Sequence, residues 1–471
     1  MNTGQWGPTF GGRHKMRHRT RPAIGTGRLP AVAAATLLVL AAWAGAETSD
    51  PYEILDAHYR ALGGLELLKG ERTIHLEADL QVAGLTGTLR HWERRPDRSR
   101  TEVDLGVFAQ TTGDDAEKAW ALDANGKLSF ERDPNALARR EVAVRLAQFD
   151  HLDPDSEIFT VTLQGLERVE GVDCHVVRIE SSPDGTVRDW YIGADDLLLW
   201  KSVETRTDGG QIILFSDYRD VDGVLHAFRQ DMEILPVGQQ QTVSVTMLET
   251  NVEIDPSLFE PPASETRDYE FTDGGDFVEI PFRFIERHLF LPVVIDCRES
   301  LWVLDTGASM SVIDRSFAES LGLNVSGTIK GEGAGNVVEV AFTTLPAFGI
   351  DGVEFSEQQV AVIDIAPLFT RTSDLEVVGI LGYDFLSRFV TRVDYANETL
   401  TLYEPSAFRY DGPGAVLDAP LSGNLFGVEA TVDGVHSGRW MLDLGAGGMT
   451  FHAPYAREHG LAEREGIYAV G

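Results

Sequence analysis

Residues 301–309 read LWVLDTGAS, and this stretch decides the fold expected for the second half of the chain. The apolar run 301–304 is typical of a short buried strand, and the carboxylate Asp305 follows it directly. Such a strand holds the carboxylate rigidly, and Gly307 lets the chain turn sharply so that N–H groups face the acid. The pattern therefore predicts a catalytic aspartate at Asp305. The alternative is a turn aspartate that caps its own backbone.

The same pattern returns in residues 440–447, which read WMLDLGAG. They repeat residues 302–309 at an offset of 138, which places Asp443 at the position of the first aspartate. Upstream, Phe290 returns as Phe426 at an offset of 136, and the difference predicts a two-residue insertion in the loop between. A repeat on this scale, with one aspartate in each copy, predicts two similar lobes.

Two further features follow the first copy of the pattern. Residues 331–335, GEGAG, are typical of a glycine-rich hairpin tip, and the apolar run 377–382 reads VVGILG. The three features in this order resemble the retropepsin-like aspartic proteases, in which they are the catalytic loop, the mobile flap and the segment under the catalytic loop. The resemblance implies the catalytic pair Asp305 and Asp443, the catalytic-loop supports Thr306, Gly307 and Gly445, and the flap residues Gly331, Gly333 and Gly335.

The chemistry of such a pair explains why two lobes are needed. Two carboxylates a hydrogen bond apart cannot both ionise, so they share one proton. The ionised group acts as a base toward water and the protonated group polarises the scissile carbonyl, with no metal and no cofactor. We expect the pair to form within one monomer and to act on a polypeptide in extended conformation, bound by main-chain hydrogen bonds. The alternative is a homodimer in which two copies of Asp305 meet.

The second copy departs from the family pattern in two ways. Leu444 follows Asp443 where the family has Thr or Ser, so half of the hydroxyl bridge between the two catalytic loops is missing. Leu444 either adds packing or leaves the second lobe as a structural partner only. The second departure is length, because the copy reaches Gly471 at the predicted flap. The sequence thus predicts a first lobe over 277–410 and an incomplete second lobe over 414–471.

The first 46 residues predict an exported protein. They contain six Lys or Arg residues and no acid, and the apolar run 31–43 precedes Ala44-Gly45-Ala46. This order is typical of a secretory signal peptide, and the run is short for a membrane span of about 20 residues. We expect a periplasmic protein. An uncleaved leader, which would tether the protein to the membrane, is the alternative.

Residues 50–262 predict a β-rich domain that opens with helices. Alternating strands such as 74–80 and 242–248 are separated by short turns. Five segments resemble the periplasmic lipoprotein-sorting carrier family, namely YRALGG at 59–64, DWYI at 189–192, LLWK at 198–201, FSDYRDVDG at 215–223 and DPSLF at 255–259. The resemblance implies an unclosed antiparallel β-barrel or half-barrel with an apolar cavity for lipid or a hydrophobic peptide. A scaffold with a filled core is the alternative.

The amino-acid composition limits the function classes and the domain organisation that the chain can have. The 471 residues include 74 acidic and 40 basic ones, a net charge of −34, which argues against nucleic-acid binding. Residues 260–276 are rich in Pro, acid and Gly, and they predict a linker over 263–276 between the two halves. The chain is therefore expected to be mostly β and to act as an exported aspartic endopeptidase. A non-catalytic periplasmic protein that binds lipid or lipoprotein, with a degenerate protease fold, is the alternative.

Overall fold

The structure is a computed structural model that describes residues 50–207, 209–262, 267–332, 337–369 and 375–461. The predicted signal peptide (1–46) lies outside the described residues, as do three glycines of the predicted flaps, Gly333, Gly335 and Gly471. Within the described ranges, no helix combines the length and the apolar character that crossing a membrane requires.

The described part of residues 50–262 contains helices at one end of a long meander of strands. The helices are α1 (Pro51–Ala61), α2 (Leu65–Gly70) and α3 (Pro134–Ala147), with short 3₁₀ turns at Asp150–Leu152 and Pro256–Phe259. The strands are β1 (Thr73–Val82), β2 (Leu85–Arg94), β3 (Arg98–Asp104), β4 (Ala109–Asp115), β5 (Ala119–Leu122), β6 (Leu128–Phe130), β7 (Phe159–Val169), β8 (Val172–Ser181), β9 (Val187–Gly193), β10 (Leu199–Arg206), β11 (Gly209–Val221), β12 (Val224–Leu235) and β13 (Gln239–Thr250).

These thirteen strands form one antiparallel sheet in the order β6-β5-β4-β3-β2-β1-β13-β12-β11-β10-β9-β8-β7. The first and last strands of this order do not pair, so the sheet is open, and the predicted unclosed β-barrel is confirmed. Helix α1 begins where the Asp50 side chain accepts the N–H of Tyr52. Its buried Leu55 joins Val142 of α3 and Ile179 of β8 in one apolar cluster, which fixes both helices on the sheet.

The described part of the second half is also mostly β. Its helices are α4 (Arg315–Ser320), α5 (Ala366–Phe369), α6 (Tyr383–Leu386) and α7 (Ala453–Glu458). Its strands are β14 (Tyr269–Phe271), β15 (Phe277–Pro281), β16 (Arg283–Ile285), β17 (His288–Ile295), β18 (Arg298–Leu304), β19 (Val312–Asp314), β20 (Ser326–Glu332), β21 (Val337–Leu345), β22 (Phe348–Ile350), β23 (Val353–Phe355), β24 (Gln358–Ile363), β25 (Val377–Leu381), β26 (Val390–Asp394), β27 (Thr399–Tyr403), β28 (Leu421–Ser422), β29 (Leu425–Val432) and β30 (His436–Met441).

The core of the first lobe lies beneath the strand that carries Asp305. Strand β18 pairs with β17 on one side and runs parallel to β25 on the other, and β19 pairs with the far edge of β25. Trp302 of β18 is 1% exposed and lies directly over Gly379, where an added Cβ would stand 2.1 Å from the indole ring. The close approach of these two strands therefore requires glycine at position 379.

The structure differs from the predicted linker 263–276. Tyr269–Phe271 forms strand β14, which pairs with β23 at the edge of the first-lobe sheet. The preceding Asp268 forms a buried ion pair with Arg388. The acid-rich composition gives no indication of the two aromatic side chains that pack into the lobe, or of the carboxylate that neutralises a buried cation.

The described part of the second lobe is a three-stranded sheet, β28-β29-β30. Its hairpin pairs Val428 with Trp440, as the first lobe pairs Leu291 with Trp302. The loop between the paired positions is therefore one residue longer in the second copy than in the first, whereas the sequence predicted a two-residue insertion. Phe426 accordingly corresponds in register to Leu289, not to Phe290.

Candidate active site

Asp305 lies immediately after β18, and the neighbouring strand fixes its backbone. Its N–H donates to the carbonyl oxygen of Leu381 at 3.0 Å, which continues the β18–β25 ladder to the first residue of the loop. The N–H of Gly307 donates to Asp305 Oδ1 at 2.7 Å. Farther round the loop, the Ala308 carbonyl accepts the N–H of Tyr383 at 2.9 Å. The apolar segment ending in Leu381 thus supports the loop from below.

Asp443 has the same local geometry in the second lobe. It follows β30 by two residues, and the N–H of Gly445 donates to Asp443 Oδ1 at 2.7 Å. The two loops face each other closely, because a Cβ on Gly307 would lie 2.6 Å from the carboxyl carbon of Asp443. A Cβ on Gly445 would lie 2.4 Å from the carboxyl carbon of Asp305. Each glycine is therefore required by the aspartate of the opposite lobe.

The two carboxyl groups are hydrogen-bonded to each other. Asp305 is half-buried and Asp443 is exposed. Burial, together with the negative charge and the hydrogen bond of Asp443, raises the pKa of Asp305 to about 7, although the N–H groups of Gly307 and Gly445 act in the opposite direction. The pair therefore retains one proton below about pH 7, and the structure favours Asp305 as the protonated member.

Thr306 connects the loops that carry the two aspartates. Its hydroxyl donates to the carbonyl oxygen of Leu442 at 2.7 Å and accepts the N–H of Leu444 at 2.9 Å. A hydroxyl at position 444 would allow the reciprocal pair of bonds, but the Leu444 side chain instead packs against the apolar core of the first lobe. One half of the bridge is thus present and the other half is replaced by apolar contact.

Two side chains that the sequence analysis missed hold the second loop. His288 Nε2 lies 2.8 Å from the carbonyl oxygen of Gly445, and since a carbonyl only accepts, Nε2 carries the proton. The guanidinium of Arg287 donates to the carbonyl oxygen of Gly447 at 2.7 Å. Arg287 directly precedes β17 and His288 is its first residue, and neither forms a motif with the aspartates. The only indication in the sequence is that both residues lie at the start of the strand that pairs with β18.

The predicted flap residues are described in part. Gly331 lies in β20, where it pairs with Val338 of β21, and an added Cβ would stand 2.9 Å from Val340 Cγ2. Gly333 and Gly335 lie outside the described residues. Among the residues that the structure describes, no group of His, Cys, Asp and Glu side chains is arranged to hold a metal ion.

The comparisons agree with the resemblance stated for the second half of the chain. Residues 291–385 match the family model described as aspartyl protease. Among solved structures, a retropepsin-like aspartic protease from Rickettsia conorii is 23% identical, with 27% of this chain and 89% of that chain covered and a TM-score of 0.20. No curated protein matches the chain. The second half therefore contains an aspartyl-protease-family domain, as predicted.

Among solved structures, lipoprotein-sorting folds are also similar to part of the chain. A LolA superfamily protein from Nitrosomonas europaea is 10% identical, with 43% of this chain and 97% of that chain covered and a TM-score of 0.32. A domain provisionally described as outer membrane lipoprotein-sorting from Vibrio parahaemolyticus is 13% identical, with coverages of 44% and 95% and a TM-score of 0.32.

Proposed function

We propose that this chain is an aspartic endopeptidase in which Asp305 and Asp443 hydrolyse peptide bonds through an activated water molecule. The observation that supports the proposal is the hydrogen-bonded carboxyl pair, with a glycine N–H on each acid and the Thr306 bridge beneath. Asp443 acts as the base toward water, and protonated Asp305 polarises the scissile carbonyl.

The proposed substrate is an unfolded polypeptide in extended conformation. Strands β20 and β21 pair antiparallel through Lys330 and Glu339, and this hairpin corresponds to the flap that the resemblance implies. A peptide under such a hairpin forms main-chain hydrogen bonds that do not depend on its sequence. Since each lobe contributes one aspartate, the proposed active form is a monomer without cofactor or metal.

The test replaces each aspartate with asparagine, which keeps the shape and removes the ionisable group. Asp305→Asn and Asp443→Asn should each abolish cleavage of an unfolded protein such as reduced casein between pH 4 and 7. Asp364→Asn is the matched control, because that side chain is 75% exposed and pairs only distantly with Arg315 at 3.6 Å. Full cleavage by either dyad variant would refute the proposal.

The second candidate function is non-catalytic binding of lipid or lipoprotein by residues 50–262. The observation that favours it is Leu444, which removes half of the loop bridge in a lobe whose aspartate is exposed. It predicts that lipid co-purifies with the full chain and that Asp305→Asn leaves the lipid content unchanged. Mass spectrometry of solvent extracts measures this directly, and lipid-free protein that cleaves peptides would exclude it.

We also propose export across the inner membrane, on the basis of the basic and apolar leader in residues 1–46. Cell fractionation with determination of the mature N-terminus tests this proposal. A mature chain beginning near Glu47 in the periplasm is the expected result. An intact leader in the membrane fraction would indicate the tethered alternative.

A further inference from the structure

The first-half sheet contacts the strand β20 of the protease lobe. Strand β20 lies at the end of the 11-stranded sheet, where only β21 pairs with it among the described strands. The N–H of Thr328 donates to the carbonyl oxygen of Ala83, in the β1–β2 turn, at 3.1 Å. Beside it, Gly327 lies against Leu85, where an added Cβ would stand 2.8 Å from the nearest methyl carbon. Backbone and apolar contact thus join the two halves here.

A second turn of the same sheet holds the next residues of β20. The N–H of Lys330 donates to Gln239 Oε1 at 2.8 Å, and the Lys330 ammonium donates to the carbonyl oxygen of Gly238 at 3.1 Å. Gln239 is only 9% exposed, and its own amide nitrogen donates to the carbonyl oxygen of Gln240 at 2.7 Å. The second bond fixes the rotamer, so the amide oxygen is directed at β20.

These contacts occupy the edge of β20 that another strand would otherwise pair with. Lys330 lies opposite Glu339 of β21 in the register, and its single backbone N–H donates to a side chain from the other half of the chain. The rings of Phe108 and Phe342 contact each other in a tilted arrangement, with centroids 5.4 Å apart, and extend the contact to β21. Both strands of the hairpin are therefore attached to the first-half sheet.

We propose that Gln239 is a positioning residue for peptide binding: it fixes the strand β20 of the protease lobe from the first-half domain. The inference rests on the proposed function, because β20 matters to catalysis only if the hairpin covers a peptide. It assigns the first half a role in the reaction. A change at the end of the β12–β13 turn, where Gly238 precedes Gln239 of β13, would alter substrate affinity without touching the aspartates.

The test uses the full chain and three variants of the Gln239-Gln240-Gln241 run. Gln239→Leu removes the acceptor, Gln239→Glu keeps an oxygen acceptor for the Lys330 N–H, and Gln240→Leu is the matched control on an exposed neighbour. We expect Gln239→Leu to raise KM about fivefold, the effect of one lost hydrogen bond, with kcat within about twofold. Gln239→Glu and Gln240→Leu should keep KM near the wild-type value.

Hydrogen exchange of the Lys330 amide gives a readout that does not need activity. Gln239→Leu should accelerate it about fivefold relative to Gln240→Leu, because the amide loses its acceptor. Equal KM and equal exchange in Gln239→Leu and Gln240→Leu would overturn the inference. If the wild-type chain cleaves no peptide, the proposed function fails. Exchange, and the affinity for an uncleaved extended peptide, then still decide whether Gln239 positions β20.

Discussion

At the residue scale, the two aspartates share a motif but not an environment. Asp305 is half-buried next to the β18–β25 ladder, whereas Asp443 is exposed. Desolvation disfavours the ionised form of the buried carboxyl more than that of the exposed one. The asymmetry of the fold therefore assigns the shared proton to Asp305, and the sequence repeat alone would not distinguish the two.

This assignment predicts how stability depends on pH. Because the pKa of Asp305 is raised from 3.8 to about 7, the folded state holds its proton more tightly than the unfolded state. The contribution of this protonated carboxyl to the free energy of unfolding is fully present below about pH 4 and is lost as the pH rises through about 7. The free energy of unfolding of the wild type should fall by about 2 kcal/mol more than that of Asp305→Asn between pH 4 and 8, discounted for partial exposure. Urea unfolding at both pH values measures this, and parallel pH profiles would contradict it.

The Thr306 bridge predicts a separable effect on catalysis. Thr306→Val removes both hydrogen bonds between the loops, while Thr306→Ser keeps the hydroxyl. Because the site is solvent-accessible, the stability loss should be about 1 kcal/mol, with kcat/KM lower by about fivefold or more in the valine variant. Steady-state kinetics and thermal unfolding of both variants check this. Similar kinetics for the two variants would show that the hydroxyl does not matter.

The sequence was sufficient to predict some of these residues and not others. Asp305 and Asp443 could be predicted because the repeat places each aspartate after a strand. The missing hydroxyl at Leu444 could be predicted because the motif has Thr or Ser at that position. His288 and Arg287 could not be found, because their contacts run between lobes over more than 150 residues of sequence. Local sequence patterns indicate where strands and turns lie, but no local pattern indicates a hydrogen bond to a carbonyl that is distant in sequence.

At the element scale, the repeated hairpin shows that a sequence repeat does not determine strand register. Matching Phe290 with Phe426 implied a two-residue insertion, but the strand register pairs Phe426 with the position of Leu289. A shift of one residue places a side chain on the opposite face of a strand. The two aromatic residues therefore face different sides of their hairpins. The positions of the strands could be predicted from the sequence. Their register could not, because it depends on which residues pair across the hairpin.

The β18–β25 contact predicts a large destabilisation by a small change. Gly379→Ala would place a methyl group about 2 Å from the ring of the fully buried Trp302, so that ring or strand must move. Overpacking of this kind costs about 2–3 kcal/mol. Gly438→Ala is the control, because nothing lies within 4 Å of its added Cβ, and its effect should stay within about 0.5 kcal/mol. Urea unfolding followed by Trp fluorescence measures both, and equal midpoints would contradict the packing argument.

At the scale of the whole molecule, the first-half sheet contacts both lobes of the second half of the chain. It holds β20 through Gln239, and its helix α3 reaches the second lobe through Asp133, the N-cap residue. Asn125 adds a third contact by bonding the backbone N–H and carbonyl of Gln359 in β24. Composition and resemblance predicted two separate domains, but not these contacts, since none belongs to a motif of either family.

The contact between Arg439 and Asp133 gives the last prediction. The Arg439 guanidinium lies 3.4 Å from Asp133 Oδ2 and donates to the Pro420 carbonyl oxygen at 2.6 Å, so it ties the lobe that carries Asp443 to helix α3. The Asp133 side chain is 6% exposed. Although burial acts to raise its pKa, hydrogen bonds from Ser422 and the α3 backbone, with the Arg439 charge, keep that pKa below its ordinary value.

Arg439→Met should therefore lower kcat/KM about fivefold by releasing the second lobe, while the free energy of unfolding changes by about 1 kcal/mol or less. Asp133→Asn retains the helix cap but not the charge, because an asparagine oxygen still accepts the N–H that caps α3. In a double-mutant cycle, the second change should add little once the first is made. Arg457→Met, on an exposed side of the same lobe, is the control and should leave kcat/KM unchanged. Additive losses from Arg439→Met and Asp133→Asn would show that the pair does not hold the second lobe in place.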